Sequence, residues 1–149
     1  MKQVSTLLCF LLWITLLNAQ VIEVTAIPVA VIDEFTLRYP DAKSISWQYR
    51  GEHYQADFKN NKMATMAILS QEGILLQTET QIRTCALPEP ALAYLAKKYA
   101  DKKIEVASIL EDQAGVITFD AVVEKMDFTF DATGEVMRMN EVVLGSRDK

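Results

Sequence analysis

The sequence is poor in histidine, cysteine and basic residues. Its 149 residues include one histidine, two cysteines, and 15 lysines and arginines against 20 aspartates and glutamates, which gives a formal charge of -5. A single histidine excludes a metal site built on several histidines and leaves few acid–base schemes. A nucleic-acid binder needs a basic surface that displaces phosphate counterions, so the acidic balance predicts no nucleic-acid partner.

The sequence also lacks an apolar run that could span a membrane. Residues 6–17 are largely apolar, but a spanning helix needs about 20 such residues. Lys2 precedes this run and Asn18-Ala19 follows it, which is the pattern of a secretory signal peptide. We therefore predict a signal peptide at residues 1–19, a periplasmic or secreted location, and no membrane span once the signal is removed.

The two cysteines predict no disulfide in the mature chain. Cys9 lies inside the apolar run after Leu8, a position unsuited to lipid attachment, and it would leave with the signal peptide. Only Cys85 would remain, so the mature fold must depend on its hydrophobic core. Half of the residues are hydrophobic, and we expect Cys85 to be a buried member of that core.

What is present is an internal similarity. A shift of 60 residues aligns Pro28 with Pro88 and Tyr39 with Tyr99, with apolar residues matching between them. Apolar spacing of i, i+3 and i+7 predicts an amphipathic helix at the start of each segment, and alternation with a period of two predicts strands after it. We therefore predict an α+β fold: a tandem repeat of one helix plus a four-stranded antiparallel meander. The predicted units are residues 20–83 and 84–149, together forming one compact domain. We expect their two sheets to join edge to edge or to pack as one body.

In this prediction each helix covers one sheet face and leaves the other partly open, as antiparallel sheets allow. Alternation places four aromatic residues on the core side: Trp47, Tyr49, Tyr54 and Phe58. The open face of the first unit is predicted to carry polar residues: Ser44, Ser46, Gln48, Arg50, Gln55 and Asp57. The equivalent residues of the second unit are predicted to be Glu105, Ala107, Ile109 and Glu111.

Several short motifs resemble those of a known group. They are Tyr39-Pro40-Asp41-Ala42, the strand Tyr54-x-Ala56-x-Phe58, and the turn Asp131-Ala132-Thr133-Gly134. With them the chain resembles the PepSY-like, beta-lactamase-inhibitor-like (BLIP-like) proteins exported by bacteria. The resemblance implies a BLIP-like helix-plus-sheet fold with a curved sheet surface available to partners, and it suggests a link to peptidase control.

Candidate chemistry has a simpler structural interpretation in each case. His53 follows a tight turn and is expected to be an exposed turn residue, although a Cys85–His53 hydrolase is an alternative. Residues 131–135 could be taken as a calcium loop, but a hairpin turn with Gly134 at the left-handed position accounts for them. We predict no catalytic residue, no metal ligand and no cofactor.

These observations predict an exported, non-enzymatic protein-binding module. It would act through its sheet surface, as an inhibitor of a hydrolase or peptidase, with contacts from Arg50, His53, Gln55 and Asp57 and with a preference for a basic partner. The alternative classes are an envelope structural or small-ligand-binding protein, and a hydrolase that uses Cys85 and His53.

Overall fold

The computed structural model describes residues 20–21 and 26–141. The predicted signal peptide, residues 1–19, lies outside the described residues. Within the described residues, two α-helices and nine strands follow one another, with a short 3-10 turn at Thr84–Ala86 before the second helix. In chain order the elements are β1 (Gln20–Val21), α1 (Val29–Arg38), β2 (Lys43–Arg50), β3 (His53–Asn60), β4 (Met63–Ser70), β5 (Leu75–Gln81), α2 (Glu89–Lys98), β6 (Ile104–Asp112), β7 (Ile117–Val123), β8 (Met126–Asp131) and β9 (Val136–Glu141).

The strands form one continuous antiparallel sheet in the order β1 to β9. The predicted fold class, a tandem repeat of one helix plus a four-stranded meander, is therefore wrong. The described chain is mostly β, with two α-helices against a single sheet. β5 and β6 pair from Gln77–Asp112 to Gln81–Ser108, so no sheet edge separates two units. This pairing satisfies backbone N–H and C=O groups that two separate sheets would leave exposed. The predicted domain limits, 20–83 and 84–149, stay predictions.

Both helices pack on the same face of the sheet. Each begins directly after a proline, Pro28 or Pro88, in keeping with the preference of proline for helix starts. The carbonyl of Pro28 accepts hydrogen bonds from the backbone N–H groups of Val31 and Ile32, at 3.0 and 3.2 Å. Each helix buries two side chains four residues apart, which places them on one helical face. These pairs are Val31 and Phe35 in α1, and Ala91 and Leu95 in α2.

Aromatic rings fill the core under α1. The Phe35 ring centroid lies 5.0 Å from that of Trp47 and 4.9 Å from that of Phe58, both in edge-to-face geometry. Such geometry adds to the stabilisation from burial. Under α2 the largest fully buried side chains are Phe128 and Phe130 of β8. The alternation that predicted Trp47, Tyr54 and Phe58 on the core side is confirmed, because all three are buried in this cluster. Tyr49, the register partner of Tyr54, is 38% exposed, so its predicted place in the core is wrong.

Two glycines allow the turns of the sheet to approach the helices closely. Gly73 and Gly134 have φ of +84° and +91°. A Cβ on Gly73 would lie 2.5 Å from the carbonyl oxygen of Ala30, and one on Gly134 would lie 2.9 Å from the backbone nitrogen of Ala91. Only glycine meets both the backbone conformation and the short distance.

Candidate functional site

The sheet face opposite the helices is the candidate site, and we call it the open face. Side chains alternate along a strand, so this face carries the residues between those packed under the helices. No helix among residues 26–141 covers it, since both helices pack on the other side. Its central members, on strands β3 to β7, are half-buried or buried: Gln55, Asp57, Met66, Ile68, Gln77, Glu79, Ser108, Leu110, Thr118 and Asp120.

All four residues predicted to contact a partner lie on the open face at the β2–β3 hairpin. Arg50 and His53 are register partners at its end, and Gln55 and Asp57 follow His53 in β3. His53 is half-buried in a strand, so its predicted place in an exposed turn is wrong. Its Nδ1 is buried without a hydrogen-bond partner in the described part of the chain. The predicted contact roles themselves stay predictions.

Two amides hold the carboxylate of Asp57. The Nε2 of Gln48 donates to Asp57 Oδ2 at 2.9 Å, and the Nε2 of Gln55 donates to both carboxylate oxygens at 3.0 and 3.1 Å. All three side chains are half-buried. Because the donors are uncharged, they orient the carboxylate and leave its negative charge in place.

A second oriented carboxylate, that of Glu79, lies two strands away. The hydroxyl of Ser108 donates to Glu79 Oε1 at 2.8 Å, and Ser108 is only 2% exposed. Sequence reasoning did not identify Glu79, Met66, Ser108 or Leu110 as members of the candidate site. Alternation in β4 could have placed Met66 on the sheet face opposite to that of Ala67. The position of Glu79 beside Met66 depends on the register between β4 and β5.

The predicted open face of the second unit is wrong at Ala107, Ile109 and Glu111. Ala107 is 1% exposed in the core under α2, and Ile109 and Glu111 share its side of β6. Ser108 and Leu110 occupy the open face instead. The register shifts between Ile104 and Val106, and such a bulge moves the following side chains relative to a simple alternation.

The two residues of the alternative hydrolase lie in separate elements. Cys85 is in the 3-10 turn before α2, whereas His53 is in β3. Cys85 is exposed, so its predicted place in the core is wrong. In the described part of the chain no hydrogen bond joins the two side chains, as a nucleophile and its base would require.

The Asp131 carboxylate holds a hairpin turn together. Its Oδ1 accepts hydrogen bonds from the Thr133 backbone N–H at 2.8 Å, the Thr133 hydroxyl at 2.7 Å and the Glu135 backbone N–H at 3.0 Å. These bonds, the Thr133 hydroxyl first, lower the pKa of Asp131. Across residues 20–21 and 26–141 no three His, Cys, Asp or Glu side chains are grouped to bind a metal ion.

A cavity of about 380 Å³ lies on the helix side, between the end of α1 and the β6–β7 turn. Arg38, Tyr39, Leu75 and Glu111 are among its lining residues. Burial raises the pKa of the Tyr39 hydroxyl. The lining is mainly polar, unlike a typical small-molecule pocket.

Neither described helix is long and apolar enough to cross a bilayer.

No protein-family model and no curated protein sequence matches the chain. Solved structures do match. A BLIP-like protein from Bacteroides fragilis is 24% identical, with a TM-score of 0.68 over 80% of this chain and 89% of that one. A DUF2874 family protein from Bacteroides uniformis is 18% identical, with a TM-score of 0.73 over 80% and 92% of the two chains.

A third match is a protein from Bacteroides eggerthii that is provisionally assigned to the periplasm. It is 20% identical, with a TM-score of 0.70 over 77% of this chain and 88% of that one. The likeness lies in the fold, since each identity is below a quarter. The resemblance predicted from the sequence is confirmed at that level: the chain has the fold of the BLIP-like protein and of the DUF2874 family protein.

Proposed function

We propose that this chain is an exported, non-enzymatic module that binds a protein partner through its open face. The observation that carries the proposal is the pair of half-buried carboxylates, Asp57 and Glu79, each oriented by neutral hydrogen-bond donors on a sheet face outside the helix-covered core. Polar groups fixed in this way lose little conformational entropy when a partner docks. The signal-peptide pattern and the provisional assignment of the Bacteroides eggerthii protein support a periplasmic location.

The size of the open face suits a protein rather than a small ligand. From β2 to β8 it spans six inter-strand spacings, or roughly 29 Å, and an eight-residue strand extends about 24 Å. The product is about 700 Å², close to the 800 Å² or so that each partner contributes to a standard interface. A partner could therefore find a full interface on this one surface.

The finer proposal is that docking blocks a hydrolase or peptidase by occlusion. The likeness to the BLIP-like protein supports this class of partner. Contacts would come from Arg50, His53, Gln55 and Asp57 at the β2–β3 hairpin, and the acidic residues near them favour a basic partner. The proposal assigns no catalytic role to the chain, and Cys85 and His53 lie in separate elements.

A photo-crosslinking amino acid at Gln55 tests the proposal in the exported chain. A matched probe at Ala93, exposed on α2, reports on the helix side. We expect a protein cross-linked at position 55 and not at position 93, and a complex that re-forms from the purified pair. Asp57→Ala should weaken that complex. Cross-linking at position 93 alone would contradict the proposal.

A further inference from the structure

One row of the open face has an acid–apolar–acid pattern. Asp57 of β3 is the register partner of Met66 of β4, and Met66 is the register partner of Glu79 of β5. All three are half-buried. Adjacent strands lie about 4.8 Å apart, so the backbones of Asp57 and Glu79 lie about 10 Å apart, with Met66 between them. Leu110 of β6 continues the row beyond Glu79.

No basic side chain neutralises these two carboxylates within residues 26–141. The ion pairs of this region join Arg38 with Glu34 and Lys102 with Glu124, away from the row. The partners of Asp57 and Glu79 are instead the neutral amides of Gln48 and Gln55 and the hydroxyl of Ser108, as described above. Neutral donors therefore hold both carboxylates in position, and no basic neighbour in the described part of the chain offsets their negative charge.

The basic residues of the open face lie at its margins. Arg50 ends β2 at the hairpin, and Arg138 belongs to the edge strand β9. Lys43 and Lys59 are exposed register partners near the other end of β2 and β3. The centre of the face is thus negative and its border partly positive. Such a distribution attracts a cation to the centre and disfavours an acidic segment there.

Partial burial strengthens the attraction for a cation. The carboxylates have already lost part of their hydration in the folded chain, and an ion pair formed at a half-buried site is screened less than one at an exposed site. Met66 between them offers a flexible, polarisable apolar surface to a neighbouring aliphatic side chain. The row therefore combines two charge sites with one apolar contact.

We propose that a segment of the partner protein binds along this row, with one apolar side chain in the middle and one basic side chain on each side of it. This inference rests on the proposed function and names the chemistry of its partner. Asp57 and Glu79 each pair with one lysine or arginine, and Met66 packs against the apolar residue between them. The fixed separation of the carboxylates makes the row selective for two spaced cations over a single one.

The probe is a synthetic extended peptide with two arginines four positions apart and a leucine midway between them. Fluorescence anisotropy measures its binding to the chain lacking residues 1–19, at low and at high salt. We expect binding that weakens at high salt, and that falls roughly tenfold or more with the double variant Asp57→Asn/Glu79→Gln. Replacing both arginines by neutral citrulline should cause a similar loss.

The matched control is the double variant Asp33→Asn/Asp101→Asn, which removes the same number of charges at exposed positions outside the open face. It should bind the peptide within about twofold of the unchanged protein, because distant exposed charges are screened. Met66→Lys provides a second test that leaves both carboxylates in place. The positive charge that this variant adds between the carboxylates should also abolish binding. Circular dichroism is the check that each variant is folded.

The inference is overturned if the unchanged protein does not bind the arginine peptide, if the citrulline peptide binds equally well, or if Asp57→Asn/Glu79→Gln leaves affinity unchanged. Cross-linking at position 55 separates this failure from that of the proposed function. If a partner still cross-links at position 55 with full yield in the Asp57→Asn/Glu79→Gln variant, the docking face is supported and the charge-pair inference is wrong. Absence of any position-55 cross-link would remove the docking face itself.

Discussion

The side-chain amide of Gln48 in β2 donates a 2.9 Å hydrogen bond to the carboxylate of Asp57 in β3. The two residues are not direct register partners, because Gln48 pairs with Gln55 and Asp57 pairs with Ser46. The bond therefore runs diagonally across the hairpin and links two rows of the open face. A carboxylate fixed in this way is in position before a partner arrives, which reduces the entropic cost of binding.

Removal of this diagonal bond should weaken partner binding while leaving the charge of the face unchanged. In the peptide assay, Gln48→Ala is expected to reduce affinity about threefold to tenfold, since Asp57 keeps only the amide of Gln55. Gln71→Ala is the control, because Gln71 is exposed at the β4–β5 turn. Equal affinities of the two variants would show that orientation of Asp57 does not matter.

The close approach of Gly73 to α1 should make it intolerant of a side chain. Gly73→Ala is expected to lower the free energy of unfolding by roughly 2–4 kcal/mol, from a left-handed backbone and a Cβ pressed against the Ala30 carbonyl. Gly51→Ala isolates the first cause, because Gly51 has φ of +74° with no atom within 4 Å of the added Cβ. It should cost about 1 kcal/mol in urea denaturation. Equal costs would contradict the close contact.

The aromatic cluster under α1 should dominate the stability of that side of the sheet. Phe35→Ala removes a 3% exposed ring that contacts Trp47 and Phe58, and we expect a loss of about 3–5 kcal/mol in the free energy of unfolding. Leu37→Ala in the same helix is the control, because Leu37 is 78% exposed. Thermal and urea unfolding should show a change within about 0.5 kcal/mol for that variant.

The Asp131 turn should make part of the stability depend on pH. Hydrogen bonds to the carboxylate lower its pKa from the ordinary value of 3.8 in the folded chain. The stabilisation is therefore complete above the unfolded pKa and is lost as the pH falls through the lower, folded pKa. The difference in unfolding free energy between the unchanged protein and Asp131→Ala should be constant near neutral pH and shrink below 3.8. A difference that grows in acid would contradict this assignment.

Cys85 should react readily in the folded protein because it is exposed. We expect iodoacetamide to label it within about a factor of ten of the rate for the urea-unfolded chain. Labelled protein should retain peptide binding, and Cys85→Ser should behave like the unlabelled protein. A hydrolytic activity that alkylation abolishes would instead support the alternative Cys85–His53 enzyme.

Local features were predictable because they depend on neighbouring residues. Period-two alternation placed Tyr54 and Phe58 in the core and Asp57 on the opposite face, as the structure has them. The register in which β5 joins β6 was not predictable, since it depends on backbone groups far apart in the chain. The bulge at Ile104 and Val106 reversed the expected faces of β6 for the same reason: pairing with β7, rather than alternation alone, decides it.

The seam between β5 and β6 gives the chain a property that neither segment has by itself. Glu79 comes before the seam and Ser108 after it, yet the Ser108 hydroxyl orients the Glu79 carboxylate. In a polypeptide truncated near residue 83, the Glu79 carboxylate would lack the hydrogen bond from Ser108. β5 would then be an unpaired edge strand beside it. Transfer of this binding surface to another scaffold would consequently require the whole antiparallel sheet. Compensating substitutions would be expected to arise together in β5 and β6, on both sides of the seam.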